Sequence, residues 1–222
     1  QARSGDVRAY ALNTASRSVL ERLRAWPDPA DATPVKAMEV HGDAGGRLTF
    51  RAADEGVEAL NWIVDVEPLL DRLGEAIRFQ PRIEVVPGPV NAPLTVICEG
   101  RDSVTRAEFG VRFDVARYPQ RAIAARLACE RPHEQIARQW FVQGDVIGVL
   151  PMGGADGHDV ALVWSARDEE AQSILALSPE DFALRVQGVC GNALGGMRLV
   201  SPRAAWALQR ANADRWCGAG CV

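Results

Sequence analysis

The chain has 222 residues, 47% of them hydrophobic and 24% charged, which suits one large globular domain or two small ones. A formal charge of -4 argues against the basic surface of a nucleic-acid-binding domain. No run approaches the ~20 apolar residues of a membrane span, and Gln1 to Val7 lacks the apolar core of a signal peptide.

Five cysteines (Cys98, Cys129, Cys190, Cys217 and Cys221) form an odd set without scaffold spacing, which fits a reducing cytoplasm. Cys217 and Cys221 have no second Cys or His pair beside them, so no metal site is expected. Lys36 is the only lysine among many arginines, a bias we assign to coding rather than to function.

Along the chain, Leu12, Ala15, Val19, Leu20 and Leu23 recur at helical spacing, with Asn13 or Thr14 as cap and Pro27 and Pro29 beyond the end. Val35 to His41 and Leu48 to Ala52 flank a glycine-rich turn and predict a β-hairpin. Leu60 to Val66 reads as a strand, followed by a helix with Pro68 in its first turn. Ile83 to Val86 and Leu94 to Cys98 are β-branched runs separated by Pro87-Gly88-Pro89, and both are expected to be strands. Ala122 to Cys129, Ile136 to Val142, Val146 to Leu150 and Val160 to Ser165 predict an antiparallel meander, with a turn at Gly144-Asp145. Two helices come next. Ser178, Pro179 and Asp181 mark the start of the second. Met197 to Val200 is the last expected strand. This order predicts an α+β fold with a mostly antiparallel sheet flanked by helices.

The chemistry is less legible. The 222 residues contain no Gly-x-Gly-x-x-Gly, no P-loop and no Gly-x-Ser-x-Gly. His41, His133 and His158 are scattered and expected at surfaces or strand ends. Glu169-Glu170 and Glu180-Asp181 fall where helix starts are expected and favour the helix dipole.

Several segments nevertheless form a pattern. Asp6 to Leu12 carries Arg8 just before a helix. Glu99-Gly100-Arg101-Asp102-Ser103-Val104-Thr105-Arg106 follows an apolar run. Tyr118 to Ile123, Glu130 to His133, Ala137 to Phe141, Gly144 to Val146, Leu150 to Gly153 and Leu162 to Ser165 then succeed one another, before Ser201 to Leu208.

This succession resembles the group A flavoprotein monooxygenases, and most of all the FAD-dependent aromatic hydroxylases of ubiquinone biosynthesis. The Glu99 segment is similar to that family's Asp-Gly-x-x-Ser-x-x-Arg motif, with glutamate in place of aspartate. The family's opening Gly-x-Gly-x-x-Gly unit and closing Gly-Asp motif have no counterpart in these residues. The resemblance therefore implies the central part of such an enzyme, with remnants of a Rossmann-like FAD domain over 1–109, including an inserted hairpin. A substrate-binding sheet and helices over 110–201 and a return segment over 202–222 complete the implied layout.

By the same resemblance, Arg8, Glu99, Gly100, Ser103 and Arg106 are expected to contact FAD. Trp140, Phe141, Pro151, Met152 and Trp164 are expected at the substrate, although the aromatics equally fit the packing face of a sheet. Arg106 equally fits a surface ion pair. No residue is singled out as a catalytic acid or base. In an intact relative NAD(P)H reduces FAD, and one oxygen atom of O2 reaches an activated ring.

The implied function is the substrate-binding portion of a hydroxylase for a quinone-precursor-like ring, inactive as this chain alone. A non-catalytic module holding a quinone or isoprenoid-like ligand and a structural subunit of a biosynthetic complex are the alternatives. A small aromatic or quinone-like substrate, no nucleic acid, peripheral association with the inner membrane or a biosynthetic complex, and self-association through Leu12 to Leu23 and Leu94 to Cys98 are the expected partnerships.

Overall fold

The computed structural model describes residues 6–100, 102–191 and 193–222; Arg101 of the glycine loop lies outside the described residues. Two sheets organise them. A three-stranded sheet in the order β1-β5-β2 is built from β1 (Ala9–Leu12), β2 (Ala32–Val35) and β5 (Asn61–Asp65). The helices α1 (Thr14–Arg22) and α2 (Val66–Arg78) follow β1 and β5 directly. Asn13 is the cap of α1, its Oδ1 accepting the Ser16 N–H at 2.9 Å.

The larger sheet takes β3 (Ala37–His41), β4 (Arg47–Arg51), β6 (Phe113–Cys129), β7 (Ile136–Val142), β8 (Asp145–Met152), β9 (Asp159–Arg167), β10 (Met197–Leu199) and β11 (Ala204–Ala213). Its order is β10-β6-β9-β8-β7-β3-β4, with β11 paired to β6. The pair β3–β7 is parallel, and the other ladders described are antiparallel. The β7-β8-β9 meander is as expected, but β6 pairs with β9, on the side away from β8, rather than with β7. The β7–β8 turn has Gln143 and Gly144 both at positive φ, the two-residue geometry that matches strand twist.

Side chains alternate across this sheet. On one face Ile123, Leu127, Ile147, Leu162 and Trp164 pack against α4 (Asp168–Ala176) and α5 (Pro179–Cys190) through Ile174, Phe182 and Val186. Each such side chain, when fully buried, contributes about 1.5–3 kcal/mol. Ser178 starts α5 as expected, its Oγ accepting the Asp181 N–H at 3.0 Å. On the other face Ala137, Met152 and Ala161 meet Val35 and Ile63 of the small sheet. That contact joins the two layers.

Two expectations fail. Residues 83–86 and 94–98 form no strand; only Thr95 makes an isolated parallel bridge, to Cys221. Pro87, Pro89 and Pro93 remove backbone donors there, and Val85 and Val96 stay mostly exposed. In the other direction, β6 begins nine residues before Ala122, and β11 pairs with it from Ala204 to Ala213. The short helix α3 (Val104–Glu108) leads into that ribbon.

Candidate functional site

Two cavities hold the chemistry-bearing residues. The first, of about 480 Å³, lies where the two sheets meet, and its walls include Asp6, Val7, Asp65, Arg126, Met152, Gly153 and Asp159. Arg126 projects from β6 on the face opposite the helices. Its Nη2 donates to the Arg8 carbonyl at 2.7 Å and lies 3.3 Å from Asp65 Oδ1. Both side chains are nearly buried, at 13% and 9% exposure, so this pair is screened little by water. The Arg8 backbone is thereby tied to the large sheet. Its guanidinium turns back to Asp6, with Nε and Nη2 donating to both carboxylate oxygens. That charge-assisted contact holds the Asp6 carboxyl below the usual carboxylate range and pushes the Arg8 guanidinium up.

The opposite wall is the turn after β8. Met152 is 5% exposed. Gly153 and Gly154 both adopt positive φ, which other residues rarely tolerate. The Gly154 N–H donates to Thr33 Oγ1 of β2 at 2.9 Å, a second tie between the sheets.

The second cavity, of about 510 Å³, is bounded by Gly100, Ser103, Arg106, Phe113, Trp216 and Cys221. Glu99 folds over the start of α3. Ser103 Oγ donates to Glu99 Oε2 at 2.6 Å and Thr105 Oγ1 to Oε1 at 2.7 Å. These bonds, the one from Ser103 foremost, draw the Glu99 carboxyl below its ordinary range. Ser103 Oγ in turn accepts the Arg106 N–H at 3.0 Å as the helix cap. Arg106 lies 3.6 Å from the centre of the Phe113 ring and donates to the Gly100 carbonyl.

No protein-family model matches the chain. Over 127 residues it is 32% identical to the ubiquinone hydroxylase UbiL of Rhodospirillum rubrum, covering 57% of this chain and 29% of that protein. It is 22% identical over 224 residues to the ubiquinone hydroxylase UbiM of Neisseria meningitidis, covering 88% of this chain and 48% of that one. The chain thus spans less than half the length of these two hydroxylases. PqsL, a probable FAD-dependent monooxygenase from Pseudomonas aeruginosa, superposes on 99% of this chain with a TM-score of 0.71 at 20% identity. The matched part is 68% of PqsL. The p-nitrophenol 4-monooxygenase PnpA from Pseudomonas putida gives a TM-score of 0.69 at 12% identity, covering 100% of this chain and 64% of its own.

The fold is that of the FAD-dependent monooxygenases.

Of the residues expected at FAD, three line one cavity, while Arg8 and Glu99 line neither. Gly100, Ser103 and Arg106 line the second, whereas the segment before Arg8 lines the first. The residues expected at the substrate divide between the two sides of the sheet. Met152 lines the first cavity. Phe141 is 41% exposed, and strand alternation puts it on the face away from Trp140. Pro151 is buried and pairs with Val160. Trp164 is 1% exposed in the helix-side core, its Nε1–H donating to Asp145 Oδ2 at 2.8 Å. Trp140 belongs to the same core and stacks on His41 with centroids 5.2 Å apart. For these two tryptophans the packing role is the one the structure shows.

Sequence reading missed Arg126, Asp65, Asp159 and His133. Arg126 carried a signal, being the one cation inside the apolar run Ala122 to Cys129. His133, expected at a surface or a strand end, lies in the connection between β6 and β7 but is fully buried, with the end of β8 against its ring.

Proposed function

We propose that this chain is the ring-holding part of a FAD-dependent hydroxylase acting on an aromatic, quinone-precursor-like substrate with NAD(P)H and O2. One observation carries the reading. Asp6 and Val7, next to the Arg8 that resemblance assigns to the flavin, wall the same cavity as Met152, which resemblance assigns to the ring. Arg126 links them by holding the Arg8 carbonyl from the large sheet.

In this reading residues 110–201 form the ring-side layer, and 1–109 with 202–222 form the flavin-facing remainder. The β3–β4 hairpin from the first part extends the ring-side sheet. FAD would supply the oxygen-activating chemistry. Arg8, Gly100 and Arg106 suit contact with it. Gly100 sits at φ +75°, and apart from its chain neighbours no described residue comes within 4 Å of where a Cβ would stand, which leaves room for a flat group beside its backbone. Arg8 keeps about half of its side chain exposed while bound to Asp6. What the chain itself contributes is a wall that orients a ring and excludes water.

No helix among the described residues is long and apolar enough to cross a membrane. Exposed Val19, Leu23, Leu94 and Val96 support self-association through these faces, which sedimentation at rising concentration tests.

The function is tested by calorimetric titration with a water-soluble alkylphenol and a matched isoprenoid alcohol. Saturable phenol binding that outcompetes the alcohol is expected. Binding of the alcohol alone would favour a non-catalytic isoprenoid module, and binding of neither would defeat the reading.

A further inference from the structure

His133 lies fully buried between β6 and β7, and neither the sequence nor the cavity lining gives it a role. Its surroundings define it closely. The Gln135 N–H donates to Nδ1 at 3.0 Å, and a backbone N–H can only donate. Nδ1 is therefore the acceptor and Nε2 carries the proton, which it donates to the Met152 carbonyl at 2.9 Å. The ring's own backbone is also held, its N–H by the Gly157 carbonyl and its carbonyl by Ile136 N–H and Arg138 Nη1.

The space around this bond is closed. A Cβ on Gly157 would stand 2.8 Å from His133 Nε2 and closer than van der Waals contact to the Met152 carbonyl. Only glycine leaves the two atoms free to meet. Beyond the bond, Met152 and Gly153 are themselves cavity wall. Gly154 is pinned to Thr33 on its far side. The turn is thus held by side chains from both directions, Thr33 on one side and the imidazole on the other, both buried.

We propose that His133 is a positioning residue: its ring holds the Met152–Gly153 turn in the shape that closes one wall of the cavity, and so sets affinity for a hydroxylated aromatic ligand. The inference rests on the reading of that cavity given above. Burial keeps the imidazole neutral, its pKa pushed down chiefly by desolvation, with His158 and Arg138 adding to the effect and the Met152 carbonyl and Asp159 opposing it. A neutral ring with one fixed tautomer is what a one-donor, one-acceptor clamp requires.

Two substitutions in the full 222-residue chain separate the ring's two contacts. His133→Asn keeps an acceptor near Nδ1 and loses the donor to Met152. His133→Gln keeps a donor near Nε2 and loses the acceptor for Gln135. Both leave a buried group unmatched and should lower thermal stability comparably. The readouts are the Gly153 and Gly154 amide resonances, the Met152 methyl resonance, and the Kd for an alkylphenol.

With His133→Asn the turn resonances shift and binding weakens about tenfold, the worth of one buried hydrogen bond. With His133→Gln both return towards wild type despite the lost stability. Unmoved turn resonances in the Asn variant, or a Gln variant no better than Asn, overturn the proposal. A wild-type chain that binds no alkylphenol, with a turn that still responds to Asn, supports the clamp and defeats the function assigned to the cavity. If the Asn variant does not fold, the Gln variant carries the test: turn resonances and a Kd close to wild type support the proposal, and displaced ones overturn it.

Discussion

The Met152 cavity and the Gly100 cavity are similar in size but differ in what holds their walls. The first is framed by the C-terminal ends of β5, β6 and β8, cross-tied by Arg126 to Asp65 and by Gly154 to Thr33. The second is framed on one side by the β6–β11 ribbon, through Phe113, Ala211 and Ala213, and on the other by irregular chain over 97–100 and 215–222, with Trp216 at 77% and Val222 at 51% exposure. Strand ends in a packed sheet are preorganised; a loop bordered by solvent opens at low cost. On the function proposed above, the first wall is the one able to select ligand shape.

The largest effect that would sharpen this contrast is at the ion pair. Arg126→Ala leaves Asp65 without the guanidinium across a nearly dry contact, and should cost about 3 kcal/mol in a denaturant melt. A cost near that of an exposed pair would show that this wall is as soft as the other. Gly157→Ala should cost about 2 kcal/mol by overpacking against backbone that cannot move freely, and should shift Met152 before any residue of the second cavity.

Acid gives a smaller effect of the same kind. His133 is held below the ordinary imidazole value of about 6.5, so between that value and its folded pKa the unfolded chain binds more protons. Its contribution is intact at neutral pH and is lost as pH falls below about 6.5, and His133→Gln should flatten that slope in a series of melts. The smallest effect belongs to the second cavity. Glu99→Gln should leave the Tm unchanged while speeding amide exchange at Thr105 and Arg106, whose cap it loosens. A clear fall in Tm would break the contrast.

The parts of the fold that follow local rules were legible. Asn13 and Ser178 cap their helices, and the Gly144 turn closes a hairpin, because each depends on residues within a few positions of one another. β11 was not, since Ala204, Ala205, Ala207, Ala211 and Ala213 give it little β preference and its strand state comes from pairing with β6. Ile83 to Val86 failed the other way: it has the composition of a strand but no partner. The site divides similarly. Met152, which resemblance pointed to, lines a cavity, yet the burial of His133 and the reach of Arg126 to Asp65 join residues that are distant in sequence. Nothing local announces such contacts. Trp140 and Trp164 were ambiguous because an aromatic in a strand serves a core or a ligand equally well until its face is known.

The account stands on the Met152 cavity receiving a hydroxylated ring, and the three methionines make that directly measurable. Met152 lines the cavity, Met38 packs beside its cluster, and Met197 lies against the helix-side core. In a methyl NMR titration with a soluble alkylphenol, the Met152 resonance should shift in a saturable way, Met38 less, and Met197 not at all. A Met152 resonance that stays still, or moves no more than Met197, would contradict the account.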